Sequence, residues 1–164
     1  MDKTTFILQL IMIALFVLLA VLVVMAGNEL IKQESKVRNR IRSLSSGSAE
    51  ISADEFLRIY SMKSGRSNRL NLSDFTGIYI IHNLINGKYY VGQSKNVFRR
   101  INSHLNGRGN GDVYADFVYG DQFSVRAIPL ESSGYRSIDA LERDAIRTYS
   151  AFEHGYNKNR GNNR

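Results

Sequence analysis

The chain has 164 residues and a formal net charge of +7 at pH 7, with a sequence pI near 9.8. It contains no cysteine, which excludes a disulfide framework and a thiolate metal site. A basic chain of this kind is suited to a polyanionic partner, either nucleic acid or an anionic lipid surface.

The first predicted element is the apolar segment at residues 6–26, FILQLIMIALFVLLAVLVVMA, in which Gln9 is the only strongly polar side chain. As a helix with a rise of about 1.5 Å per residue, it would span roughly the 30 Å thickness of a bilayer hydrocarbon core. A helix that is apolar all round has no face suited to water. We therefore expect a transmembrane helix at residues 1–26, with a cleaved signal peptide as the alternative.

The charges on either side of this segment predict its orientation. Only Lys3, offset by Asp2, precedes the segment. The cations that follow it are Lys32, Lys36, Arg38, Arg40 and Arg42. The positive-inside rule then places the C-terminal side in the cytoplasm, as a single-pass protein of the cell membrane. These cations are also expected to contact anionic lipid headgroups. If the segment were cleaved as a signal peptide, the protein would be secreted instead.

Residues 27–76 are predicted as a basic juxtamembrane region and linker that contains one short helix. The sequence SLSSGS at residues 43–48 is small and polar, which is typical of a flexible linker. Ser52-Ala53-Asp54-Glu55 reads as a capping box ahead of an apolar run. The sequence KSGRSNR at residues 63–69 favours a solvated loop over a contact with a phosphate backbone. The chain that follows the apolar segment is long enough for one domain, because a usual domain has about 100–150 residues. We expect this domain at residues 77–164.

Strands are predicted from Gly77 onward. GIYIIHN and KYYVG are rich in β-branched and aromatic residues, and Asn86-Gly87 between them predicts a two-residue hairpin turn. Alternation places Tyr79 on the same face as Tyr90. A turn centred on Asn86-Gly87 would put Tyr90 opposite Asn83, so a bulge or a longer loop would be needed to bring the two tyrosines together. Taken alone, these tyrosines are also typical of a half-buried sheet.

The next predicted helix covers VFRRINSHLN, capped by Asn96 and ended by Gly107. Its core stripe comprises Val97, Ile101 and Leu105. Arg100 and His104 lie one turn apart beside this stripe, at the rim of the core. An arginine can bind a phosphate through two hydrogen bonds, and a histidine can exchange a proton near neutral pH. An exposed Arg/His pair is also ordinary on a helix, and Arg99 is an alternative phosphate ligand.

The last predicted helix, at about residues 137–149, has a carboxylate on its core-facing side. Its apolar face comprises Ile138, Leu141, Ala145 and Tyr149, and Glu142 falls within that face. A carboxylate there is costly unless it is paired or coordinates a cation. A salt bridge to an arginine and a hard divalent metal ion are the two explanations. Asp139, Arg143 and Asp144 lie on other faces and are predicted to be solvated.

These motifs, in this order, resemble the catalytic core of the GIY-YIG endonuclease family over about residues 77–157. The resemblance rests on Gly77-Ile78-Tyr79, Tyr90-Val91-Gly92, Arg100, His104, Glu142 and Asn157, with Val91 as the only departure. It implies an α+β fold, in which a small antiparallel three-stranded sheet is flanked by helices. The third strand is then expected at residues 122–130, after a short helix at residues 113–119.

The resemblance also implies hydrolysis of DNA phosphodiester bonds with one divalent metal ion, Mg²⁺ or Mn²⁺. The catalytic residues would be Tyr79, Tyr90, Arg100, His104, Glu142 and Asn157. Glu142 would hold the metal, and Arg100 would neutralise charge that develops on the phosphate. Tyr79, helped by His104, would position or deprotonate the attacking water, although a tyrosine base has an ordinary pKa of about 10. Tyr90 would hydrogen-bond near the scissile group, and Asn157 would brace the site.

The sequence hypothesis is therefore a membrane-anchored, metal-dependent endonuclease. No zinc finger or helix-turn-helix pattern accompanies the core, so we expect mostly phosphate contacts and low sequence specificity. Its substrate would be DNA that crosses or lies near the membrane, such as incoming phage or mobile DNA. The alternatives are a catalytically inactive module that tethers DNA at the membrane, and an exported nuclease that acts on extracellular DNA. The sequence leaves the oligomeric state open.

Overall fold

The structure, a computed structural model, describes residues 2–64 and 73–162. The elements in chain order are α1 (Lys3–Ser46), β1 (Ile51–Ser52), α2 (Ala53–Ser64), β2 (Gly77–Asn83), β3 (Tyr89–Ser94), α3 (Val97–Leu105), α4 (Gly111–Val118), β4 (Phe123–Pro129), α5 (Leu130–Ser133) and α6 (Ile138–Thr148). Residues 65–69 of the predicted basic loop lie outside the described residues.

Helix α1 contains the apolar segment. It is long and apolar enough to cross a membrane, and none of its most apolar stretch is buried. A signal sequence near an N-terminus has the same length and composition. The chain divides into two compact units, Met1–Val37 and Arg38–Arg164. The last turns of α1 therefore belong to the second unit, where Ile41 and Ser45 are buried.

The second unit is built on an antiparallel sheet of four strands, in the order β1-β4-β2-β3. The expected sheet of three strands is therefore wrong by one strand. Strand β1 is the addition, and it pairs Ile51 and Ser52 with Val125 and Ser124 of β4. A strand of two residues is too short for hydrophobic alternation to reveal it. Strand β4 and helix α4 lie where the third strand and the short helix were expected.

The hairpin register differs from the predicted one by two residues, because its turn is longer. Tyr90 pairs with Ile81, and Gly92 lies opposite Tyr79. The turn covers residues 84–87, closed by the backbone hydrogen bond from Asn83 to Lys88. The Asn83 side chain accepts hydrogen bonds from two backbone N–H groups within the turn. This side-chain bonding stabilises the longer turn and makes the two-residue prediction wrong.

Helices cover both faces of the sheet. The core on one face comprises Ala53, Phe56, Tyr79, Ile81, Val97, Ile101, Leu105, Val113, Phe123, Val125 and Tyr156, which come largely from α2, α3, α4 and the sheet. The core on the other face comprises Ile41, Ile78, Ile80, Val91, Ile128, Leu141, Ala145, Ile146 and Ala151, which come largely from α1, α6 and the sheet. Strand β3 is the edge strand between α3 on one side and α6 on the other.

Candidate active site

Helix α3 is fixed at its start by a carboxylate from outside the helix. Asn96 occupies the N-cap position, as predicted, but its side chain makes no capping hydrogen bond. Asp74 instead accepts from the backbone N–H groups of Phe98 and Arg99, at 2.9 and 3.2 Å. A negative charge at this end also complements the helix dipole. The predicted core stripe of α3 is buried, so the helix presents the expected face to the sheet.

Tyr79 and His104 form a buried hydrogen-bonded pair between β2 and α3. The two side chains are 1% and 0% exposed, and Tyr79 Oη lies 2.9 Å from His104 Nε2. The backbone N–H of Asn110 donates to His104 Nδ1 at 2.8 Å. Because Nδ1 is the acceptor, the neutral ring carries its proton on Nε2 and donates it to Tyr79.

The burial of His104 corrects the prediction that it lies at the rim of the core. Burial lowers its pKa to about 4, with a further decrease from the charge of Arg100, so the ring is neutral at pH 7. A neutral ring with a partner on each nitrogen can be buried at little cost. Gly109 lets the following loop close over it, since a Cβ there would come within 2.3 Å of His104 Nδ1. Arg100, one turn earlier, is exposed as expected.

The two motif tyrosines lie side by side, as a shared site requires. Their ring centroids are 6.1 Å apart, and the Tyr90 ring lies 4.7 Å from His104. Gly92 lies directly opposite Tyr79, and a Cβ there would approach the Tyr79 hydroxyl to 2.2 Å. A glycine in the second motif is therefore required by the packing of the tyrosine in the first.

Both tyrosines are protonated at neutral pH. Burial raises the pKa of Tyr79 far above its usual range, and the nearby charge of Arg100 only partly opposes this. Burial also raises the pKa of Tyr90, against a hydrogen bond from Tyr79 and the charge of Arg100, while the Glu142 carboxylate adds to the increase. As they stand, the two phenols are suited to donating hydrogen bonds rather than to accepting a proton.

A polar cleft of about 350 Å³ opens beside Tyr90. Its lining consists of Tyr90, Arg100, His104, Gly109, Asn110, Gly111, Asp112 and Lys158. Lys158 forms an exposed ion pair with Asp112 across this cleft. A second cavity, of about 520 Å³, is lined mainly by apolar side chains and includes none of the six predicted site residues. The polar cleft therefore fits phosphodiester chemistry better than the more spacious apolar cavity does.

Glu142 lies on α6, on the other side of β3 from His104, and its side chain faces the strand. It is 8% exposed, and its Oε2 accepts a hydrogen bond from Gln93 Nε2 at 2.9 Å. Burial raises its pKa, opposed by hydrogen bonds from Gln93 and from the backbone N–H of Asn162, with Asp139 adding to the increase. None of the ion pairs among the described residues involves Glu142. The described residues therefore offer no support for the salt-bridge explanation.

The prediction that Asp139 is an ordinary solvated charge is wrong. It is half-buried, and its Oδ1 accepts from the same Gln93 nitrogen at 2.6 Å. Its negative charge therefore lies beside that of Glu142. The sequence does not reveal this contact, because the helical angle of a residue does not show which strand residue will face it.

The residues around Glu142 fit a hard divalent ion that keeps most of its water. Within residues 2–64 and 73–162 there is no group of three or more His, Cys, Asp or Glu side chains that could hold a metal. A closed all-protein site, as for structural zinc, is thus not formed by the described side chains. Mg²⁺ is commonly bound through one or two carboxylates and otherwise by water and substrate phosphate.

Asn157 reaches the site indirectly, through strand β3. Its Oδ1 accepts from the backbone N–H of Val91 at 2.9 Å, and its Nδ2 donates to the Val91 carbonyl at 2.7 Å. The side chain thus pairs with the edge strand as another strand would. This contact fixes the backbone between Tyr90 and Gly92.

Several polar residues of the site were not predicted from the sequence. They are Gln93, Asn110, Asp112, Asp139 and Lys158. Alternation along β3 gives a signal for Gln93, because position 93 lies on the same face as Val91 and opposite to Tyr90. Asn110 precedes a helix whose first N–H groups its side chain caps, but its backbone bond to His104 depends on tertiary packing.

Residues 75–157 match the family model of the GIY-YIG catalytic domain, which is half of the chain. No curated protein and no solved structure is significantly similar to the chain. The matched region contains the hairpin, α3 and α6 described above. The chain therefore belongs to the GIY-YIG family, and residues 75–157 are its nuclease-type catalytic domain.

Proposed function

We propose that this protein is a membrane-anchored endonuclease that hydrolyses DNA phosphodiester bonds with low sequence specificity and depends on a divalent ion, Mg²⁺ or Mn²⁺. The observation that carries this proposal is the arrangement around the edge strand β3. A neutral Tyr79–His104 pair and the exposed Arg100 lie on its α3 side, while the buried Glu142 carboxylate lies on its α6 side. Family membership supports the nuclease class.

Arg100 is our candidate for binding the scissile phosphate. Its guanidinium is exposed at the polar cleft, and it remains cationic at any relevant pH. Lys158 adds a second positive charge on the cleft wall. Cations that contact the backbone neutralise phosphates without reading bases, which supports low sequence specificity.

Tyr79 and Tyr90 are proposed to orient the attacking water and a phosphate oxygen. The His104 N–H donates to Tyr79, and Tyr79 in turn donates its phenolic hydrogen to Tyr90. With its pKa raised, Tyr90 keeps its own hydrogen and lines the polar cleft, where it can donate to a water or a phosphate oxygen. A water held by a donor whose own position is fixed by Tyr79 is oriented for attack.

Glu142 is proposed to hold the divalent ion, with Asn157 bracing the strand that separates it from the tyrosines. When bound, such an ion polarises the phosphate and stabilises the leaving oxygen. The protein's own contribution is a buried carboxylate that accepts hydrogen bonds from Gln93 and from the backbone N–H of Asn162, which oppose the rise in its pKa caused by burial. Orientation of this kind by outer partners is a usual requirement of metal sites.

The membrane anchor is proposed from the length and composition of α1. We propose that the catalytic domain lies on the cytoplasmic side, because Lys and Arg residues are concentrated after the apolar segment. A tethered nuclease would act on DNA that enters at the membrane, such as phage or mobile DNA. Cells that remove incoming DNA equally well with and without residues 1–26 would contradict this role.

The nuclease activity is tested with the full chain in a nonionic detergent, incubated with supercoiled plasmid and either Mg²⁺, Mn²⁺ or EDTA. We expect metal-dependent nicking, which Glu142→Ala reduces by about 100-fold or more because the ion loses its carboxylate. Glu131→Ala is the matched control, since Glu131 is an exposed glutamate outside the site. DNA binding without cleavage would favour a tethering module. A mature N-terminus at Gly27 would favour an exported nuclease.

A further inference from the structure

The side chain of Gln93 joins two carboxylates on the α6 side of β3. Its Nε2 donates to Glu142 Oε2 at 2.9 Å and to Asp139 Oδ1 at 2.6 Å. Both acceptors lie on α6, one turn apart, whereas Gln93 lies on the strand. The contact therefore links the edge strand to the helix through three polar side chains.

The chemistry of the partners determines which end of the Gln93 amide faces them. Ionised carboxylates accept hydrogen bonds and cannot donate, while an amide nitrogen carries two N–H groups. One N–H is available for each carboxylate. A glutamate at position 93 would lack these donors. A lysine would place a positive charge beside the carboxylates, where it would compete with a metal ion for them.

We propose that Gln93 is a positioning residue that orients the Glu142 carboxylate for a divalent cation, with Asp139 as the second anchor of its amide. This inference rests on the proposed metal-dependent nuclease function. Glu142 is the group that would contact the cation. Gln93 acts through Glu142. A variant of Gln93 therefore retains all the predicted catalytic residues.

The hydrogen bonding of the cluster explains why an amide donor is needed there. Glu142 is 8% exposed, so water can satisfy little of its carboxylate, and Gln93 Nε2 donates to its Oε2 at 2.9 Å. The same nitrogen donates to Asp139 Oδ1 at 2.6 Å, so both carboxylates on α6 are attached to one strand residue. Without the amide, the Glu142 side chain would lose the partner that fixes its orientation, and a carboxylate that is not oriented binds a cation less tightly.

A purely structural role would predict a different outcome. In that case Gln93 would only attach β3 to α6, and its loss would reduce stability without changing affinity for a metal ion. The affinity for a metal ion therefore separates the two roles, whereas thermal unfolding alone does not.

The experiment compares the full-length wild type, Gln93→Leu and Gln93→Asn in detergent, with Gln122→Leu as the matched control. Gln122 is an exposed glutamine outside the site. Free Mn²⁺ is measured by electron paramagnetic resonance, and plasmid cleavage is measured between pH 5 and pH 9. Thermal unfolding of each metal-free protein checks that it is folded.

We expect Gln93→Leu to weaken Mn²⁺ binding by about tenfold, the usual cost of losing an outer partner of a metal ligand. Gln93→Asn should weaken Mn²⁺ binding by less, since it keeps the amide but is one methylene shorter. Gln122→Leu should behave as wild type.

An Mn²⁺ dissociation constant that stays within about twofold of the wild-type value in both Gln93 variants, well below the usual effect of losing an outer partner, would overturn the inference and leave the proposed function standing. If Gln93→Leu does not fold, Gln93→Asn decides. A wild type that neither binds Mn²⁺ nor cleaves DNA would overturn the proposed function, and this inference with it.

Discussion

The α3 side and the α6 side of strand β3 differ in how their buried polar groups are satisfied. On the α3 side, the buried groups include the neutral Tyr79 and His104, which hydrogen-bond to each other and to the backbone. On the α6 side, the negatively charged pair of Asp139 and Glu142 shares the amide of Gln93. The two arrangements are only one strand apart.

The difference shows that hydrogen bonding and charge are satisfied separately in this domain. Among the described residues, no buried side-chain nitrogen or oxygen lacks a hydrogen-bond partner. The carboxylates on the α6 side have hydrogen-bond donors but no cation partner, because the described ion pairs leave out both Asp139 and Glu142. The α6 side is therefore where our proposal places the divalent ion.

The largest effect is expected from breaking the neutral pair on the α3 side. Tyr79→Phe removes one oxygen and leaves the buried N–H of His104 without its acceptor, which costs about 1–3 kcal/mol of stability. We expect plasmid cleavage to fall by about 100-fold, the usual cost of losing one oriented donor. Tyr119→Phe is the matched control, since Tyr119 is 89% exposed. Cleavage within threefold of wild type would mean that Tyr79 serves packing alone.

The next effect, on stability alone and not on cleavage, is expected from pH, through His104. Its pKa is about 4 in the folded protein and about 6.5 when unfolded. As the pH falls, the unfolded chain therefore binds a proton at His104 before the folded protein does. The stability that depends on a neutral His104 is complete above pH 6.5 and is lost as the pH falls towards 4. The loss reaches about 3 kcal/mol at pH 4. This loss of stability is measured by urea unfolding of the full chain in detergent, monitored by the near-ultraviolet circular dichroism of its tyrosines.

The matched variant for this pH effect is His104→Gln. A glutamine can accept from Asn110 and donate to Tyr79, but it cannot bind a proton near pH 5. We expect its free energy of unfolding to change less between pH 7.5 and pH 4.5 than that of the wild type. Parallel loss of stability in both proteins would assign the effect to carboxylates elsewhere and remove the contrast between the two sides of β3.

The smallest effect is expected at the exposed charges of the cleft. Lys158 and Asp112 form an ion pair in which both side chains are largely exposed, so their contribution to stability is small. Lys158→Ala should weaken DNA binding only a few-fold and reduce the slope of log affinity against log salt by about 1. Asp112→Asn should strengthen binding slightly. An unchanged salt slope in Lys158→Ala would place DNA away from this wall of the cleft.

The sequence by itself determined most of the elements, with β1 among the exceptions, and the faces on which the tyrosines and Glu142 lie. The composition of residues 6–26 was enough to predict an apolar helix, because a span depends on length and hydropathy alone. Alternation placed Tyr79 and Tyr90 on one face of the hairpin, and helical spacing placed Glu142 on the core side of α6. These predictions depend only on the geometry of a single element or of one local turn.

Only the tertiary structure decided which side chains meet. The Asn83 turn shifted the hairpin register, the loop at Asn110 buried His104, and Gln93 joined Asp139 to Glu142. The period of a helix or strand fixes the direction of a side chain, but it does not specify the residue that a distant segment brings against it. The protonation states of Tyr79 and His104 follow from that same burial, which is why the chemistry of the site could not be predicted from residue types alone.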